Sequence, residues 1–135
     1  MNFQHLFLSF EGRTRRLHFW IGLIILWVVQ TVVLSVTFGG AFAAAAMSHN
    51  YGAVFAGPAI IGWLICLALI YPALALQVKR WHDRGKSGWM VLVALIPLIG
   101  ALWVLIECGF MDGTPGDNAY GPSPKGLTGP TLTPA

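Results

Sequence analysis

Apolar residues gather into three long runs, and what separates them is short and polar. Ahead of the first run, MNFQHLFLSF places Phe3, Leu6, Phe7 and Phe10 at helical spacing on one face, which predicts a short interfacial helix. The first run covers residues 17–38, slightly more than the ~20 residues that cross the hydrocarbon of a bilayer as a helix. Its end is expected to fray through Gly39, Gly40 and the alanines that follow. Ser48, His49, Asn50, Tyr51 and Gly52 then make residues 47–54 a loop, because such groups sit poorly against lipid. The second run, 57–78, begins with Gly57-Pro58, where proline suits a first helical turn, and Pro72 is expected to kink it. KRWHDRGKSG, 79–88, reads as the second loop, and the third run is 89–110, loosened by Pro97 and Gly100. The turn-rich DGTPGDNAYGPSP follows, then a Gly/Pro/Thr tail over 125–135 that is expected to be disordered. The pattern predicts an all-α membrane protein with about three transmembrane helices, built as one domain over 1–124.

Composition sharpens this. Hydrophobic residues make up 56% of the 135 positions and charged residues 10%, against roughly 25% charged in soluble domains. Between Leu17 and Val78 there is no Asp, Glu, Lys or Arg, a silence that lipid explains better than a protein core. A cleaved signal peptide would end near AFAAAA, but signal apolar regions span only about 7 to 15 residues. The run is therefore read as a retained helix.

Seven of the eight basic residues fall in two patches, Arg13, Arg15 and Arg16, then Lys79, Arg80, Arg84 and Lys86. The first loop carries none. By the positive-inside bias the amino terminus and the 79–88 loop are cytoplasmic. Three crossings would put the carboxyl tail on the other side, and a re-entrant path through 89–110 would return it. The net charge of +3 does not point to nucleic acid, since nothing here builds a readout surface. Anionic headgroups are the partner such patches meet.

Few residues offer chemistry. His82 and Asp83 lie beside Arg80 and Arg84, a set that could bind phosphate while His82 exchanged a proton. Adjacent residues point to different sides of a helix, so the plainer expectation is an interfacial anchor. Glu107 is the acid within a span, and Gln30 brings an amide to the first one; both are intramembrane polar candidates. On three crossings Glu107 could not pair with Arg80 or Arg84. Gly39, Gly40, Ala43 and Ala44 form small-xxx-small pairs suited to helix association. Cys66 and Cys108 show no metal or redox spacing and read as packing residues. No metal site, cofactor or catalytic residue is expected.

Three pieces in order, SFEGRTRRLHFW, VKRWHDRGKSGWM and GTPGDNAYGPSP, resemble the domain of unknown function 805 family of small bacterial inner-membrane proteins. The resemblance covers residues 7–124. It matches at Phe10, Gly12, Arg13, Arg16, Phe19 and Trp20, then at Arg80, His82, Asp83, Gly85, Ser87, Gly88 and Trp89, and last at Asn118, Tyr120, Gly121, Pro122 and Pro124. Ser123 stands where the family pattern has an acid, which weakens a metal or acid-base role for that piece. The resemblance implies an inner-membrane location and carries no settled activity.

The functional expectation is a non-enzymatic accessory or scaffold component whose basic cytoplasmic segments, with Arg13, Arg16, Arg80, His82, Asp83 and Arg84, contact anionic lipid or a membrane protein partner, a second copy included. The alternatives are a small oligomeric transporter or channel using Gln30 and Glu107, and a headgroup-modifying enzyme using His82. Helices joined by a short loop pack antiparallel, so the two basic segments should meet, with Asp83 paired to Arg13 or Arg16.

Overall fold

The computed structural model describes residues 2–126, the side chains of 53–55 excepted. From residue 127 onward the expected disordered tail lies outside the described residues. The fold is an all-α membrane protein, with two long apolar helices and a shorter apolar one. Contacts cluster into two compact units, Met1–Gly22 with Pro72–Ala135, and Leu23–Tyr71.

Helix α1 is Phe3–Leu8, capped by the Asn2 side chain, which accepts from the His5 amide at 3.2 Å. Helix α2 runs Arg16–Ser48 and α3 runs Tyr51–Asp83. Each has 33 residues, about 50 Å at ~1.5 Å per residue, so both exceed the ~30 Å hydrocarbon layer. The expected loop over 47–54 shrinks to His49 and Asn50, with His49 at φ +57°. Alanine is the best helix former, which is why 43–46 continue α2 and do not fray. Pro58 consequently sits inside α3, and the helix also continues through Pro72.

In the unit Leu23–Tyr71, the Gln30 amide donates to Cys66 Sγ at 2.8 Å, and Gly62 packs against Thr37 and Phe38. Thr31 and Thr37 return their hydroxyls to the carbonyls of Trp27 and Val33, the usual way a helix hides a hydroxyl in lipid. Large side chains such as Trp27 and Trp63 face outward. In water an apolar surface this wide would mark an interaction site; in a bilayer it meets lipid.

The other unit departs most from expectation. Helix α3 takes in Lys79–Asp83, so half of the expected 79–88 loop is helical. The third apolar segment is not one helix over 89–110. It is a 3-10 helix Gly88–Leu95, a turn at Ile96–Leu98, α4 at Ile99–Val104 and a π-helix Leu105–Phe110. Pro97 lacks the amide a continuous helix needs, and Leu98 adopts φ +61°, ψ −60°. Gly100 then lies so close to the Val93 carbonyl that a Cβ would overlap it. The segment folds back on itself, which returns Glu107 to Arg84 and Lys86, just ahead of the segment's start.

Candidate functional site: a buried charge knot

Register on α3 decides the site. Because Lys79–Asp83 is helical, Arg80 and Asp83 stand at i and i+3 on one face, and Arg80 Nη1 binds Asp83 Oδ2. The opposite oxygen, Oδ1, accepts from Arg13 Nε at 3.1 Å, with Arg13 Nη2 at 3.0 Å. Arg13, Arg80 and Asp83 are all buried, their side chains at most 4% exposed. The Arg13–Asp83 pairing expected from the sequence is present; Arg16 pairs elsewhere.

Two guanidinium groups around one carboxylate leave an excess positive charge, and carbonyl groups absorb it. Arg13 donates to Gly116 O and Thr114 O, each at 2.6 Å. Arg80 donates to Cys108 O at 2.6 Å and also to Met111 O. A buried charge is tolerable only when paired and hydrogen-bonded, and these acceptors meet that requirement. The Asp83 carbonyl in turn accepts from the Thr114 amide at 2.6 Å. Gly113 is obligatory here, since a Cβ on it would overlap the Asp83 carboxylate.

A second tier ties the remaining segments down. Lys79, fully buried, donates to the Leu6 and His5 carbonyls at the end of α1. Arg16 donates to Phe110 O at 2.7 Å and pairs with Asp112 at 2.8 Å, and Trp20 Nε1 donates to Gly109 O at 3.0 Å. The carbonyls from Cys108 to Met111 are thus capped from α2 and α3. Glu107 pairs with Arg84 at 3.1 Å and Lys86 at 2.7 Å. This corrects the expectation that Glu107 and Arg84 belong to opposite faces: the folded-back segment returns the acid to the bases that precede it. Asp112 is exposed; the hydrogen bond from Lys125, helped by the Arg16 charge, holds its carboxyl below the usual aspartate range against the opposing loss of some hydration.

His82 turns away from Asp83. Its Nδ1 lies 3.1 Å from the Gly12 carbonyl, which can only accept, so the proton belongs on Nδ1. Its ring stacks on Tyr120, centroids 4.1 Å apart and planes 3° apart, while Asn118 donates to the His82 carbonyl at 2.9 Å. No His82–Asp83 dyad forms. Gln30 lies in the other unit, bonded to Cys66.

The structure therefore brings Arg13, Arg80 and Asp83 into one cluster, with Arg16, Arg84 and Glu107 around it. Sequence reasoning missed Lys79 as a buried cap and Gly113 and Thr114 as part of the carboxylate's cradle. Continuing the period of α3 past Val78 would have exposed the Arg80–Asp83 pair. Nothing in the string GTPG announces that its glycine must admit a carboxylate from far earlier in the chain.

A family model described as a protein of unknown function (DUF805) matches residues 7–122. The chain is 32% identical over 120 residues to the inner membrane protein YhaH of Escherichia coli (strain K12), covering 88% of this chain and 89% of that one. It is 31% identical over 121 residues to the inner membrane protein YhaI of the same strain, covering 88% of each. It is also 31% identical over 145 residues to the uncharacterized protein YiiR of that strain, covering 90% and 89%. No solved structure matches.

Proposed function

Since the chain belongs to the DUF805 family, and relatives of it are inner membrane proteins, we propose that it is a non-enzymatic accessory or scaffold component of the bacterial inner membrane. In this reading α2 and α3 cross the bilayer, residues 88–110 enter and leave on one side, and the charge knot sits at the cytoplasmic face.

One observation carries the reading. The groups best suited to chemistry, Asp83, Arg13, Arg80 and Glu107, are each bound to other parts of the chain, so their charge is spent on joining the segment before α2, the end of α3 and the folded-back segment. The cytoplasmic assignment rests on the distribution of bases, three just before the first long apolar run, four just after the second and none between. Arg16 and Lys86, though paired with Asp112 and Glu107, keep side chains 41% and 36% exposed and so also face anionic headgroups or a partner protein. The transporter alternative needs Gln30 and Glu107 on a shared watery path, whereas each has a local partner.

Photo-crosslinking in native inner membranes, with probes at exposed Trp27, Trp63 and Leu102, tests the reading. A discrete protein adduct from one of these positions is expected, together with proteoliposomes no leakier to protons or potassium than protein-free vesicles. A leak abolished by Gln30→Leu or Glu107→Gln would overturn it in favour of a conducting pathway.

A further inference from the structure

Opposite the knot, the last turns of α3 line a groove of about 390 Å³, within the ~300–1,000 Å³ range of small-ligand sites. Leu74, Val78 and His82 recur at i, i+4 and i+8 along one stripe of α3 and form one wall, with Val91 contributing from the 3-10 helix. Ser87 and Tyr120 also line it. The groove thus changes character along its length. Its Leu74 end lies within the apolar span of α3, and its His82, Ser87 and Tyr120 end lies at the level of the charged residues.

We propose that this groove holds one acyl chain of an anionic glycerophospholipid, the chain against Leu74, Val78 and Val91 and the ester region at Ser87 and Tyr120. The gradient from apolar floor to hydroxyl rim is that of an amphiphile, and no wholly apolar ligand would use the rim. Charge selects the headgroup. All eight Lys and Arg and all five Asp and Glu fall in residues 11–16, 79–86 and 107–125, so the whole net charge of +3 belongs to the segments that build this layer. Lys86, the residue before Ser87, pairs with Glu107 yet keeps its side chain 36% exposed beside Trp81, so a cation stands one residue from the rim, where an anionic headgroup would meet it. This deepens the lipid contact in the proposed function, which is judged separately by protein crosslinks and leak.

The probe is the full chain in vesicles containing phosphatidylglycerol with a photoactivatable diazirine near the middle of one acyl chain, compared with the same label on phosphatidylcholine. Adducts should concentrate on the peptides holding Leu74, Val78 and Val91, about tenfold above those on exposed Ile60 and Leu64, a preference worth about 1.4 kcal/mol. Val91→Trp should remove that excess, and Ile60→Trp should leave it. An even spread over the lipid-facing residues, or equal labelling by phosphatidylcholine, overturns the proposal. The wild-type pattern alone decides if Val91→Trp fails to fold. An adduct joining two copies of the chain at the groove would instead identify a second copy as the occupant and also overturn it.

Discussion

Arg84 and Glu107, 23 positions apart, form an ion pair at 3.1 Å, and that pair closes the third apolar segment into a hairpin. Both side chains are mostly buried, at 18% and 14% exposure, so screening by solvent is weak. A double-mutant cycle with Arg84→Met and Glu107→Gln should show coupling of about 1 kcal/mol, inside the ~0.5–3 kcal/mol seen for contacting pairs. Unfolding of the purified chain in mixed micelles measures it. Strict additivity of the two changes would mean that the pair does not hold the hairpin.

Gly113→Ala should destabilise the protein about as much as Asp83→Asn, by roughly 3–5 kcal/mol, the usual penalty for stranding one member of a buried ion pair. The cause is geometric, because the added methyl would occupy the position of the Asp83 carboxylate. Combining the two changes should add little to either. Gly39→Ala, where a Cβ meets nothing within 4 Å, should be neutral or stabilising by up to ~1 kcal/mol through helix propensity. Thermal unfolding of the four variants separates these outcomes.

Asp112 should titrate below the ~3.9 of an ordinary aspartate, because Lys125 and Arg16 favour its ionised form. A lowered carboxyl contributes stability that is present above its unfolded value and is lost as pH falls through the folded one. The link to Arg16 and Lys125 should therefore persist across neutral pH and fail only in strong acid. Carboxyl NMR of the labelled protein in micelles reads the midpoint, and Lys125→Ala should raise it. An unchanged midpoint in that variant would remove the Lys125 hydrogen bond as the main cause.

The membrane class and the two long helices were legible because 62 consecutive residues without a Lys, Arg, Asp or Glu, 17–78, cannot clothe a surface that faces water. The meeting of Arg13 with Asp83 was legible too, from charge balance and the antiparallel return of α3. The form of residues 88–110 was not. Hydropathy sums over a window and is blind to direction, so a hairpin broken at Pro97 and Leu98 scores like a straight span. Pro97 and Gly100 left a re-entrant path open, and Glu107 was a further clue, an acid that needed a base, but assuming three crossings placed its real partners out of reach. The partner of Arg16 was not legible for a different reason: Asp112 lies in the turn-rich stretch after the last apolar run, and only the return of the π-helix brings it to the start of α2.

The hairpin's return is the central claim, and sidedness tests it most directly. Single cysteines at Lys86 and at Ser123, in a chain with Cys66 and Cys108 replaced by Ala, can be labelled with a membrane-impermeant maleimide in intact spheroplasts and in inverted membrane vesicles. The account predicts that both positions label only in the inverted vesicles, on the cytoplasmic side. Labelling of Ser123 from the outside, with Lys86 still inside, would contradict it and restore a third crossing.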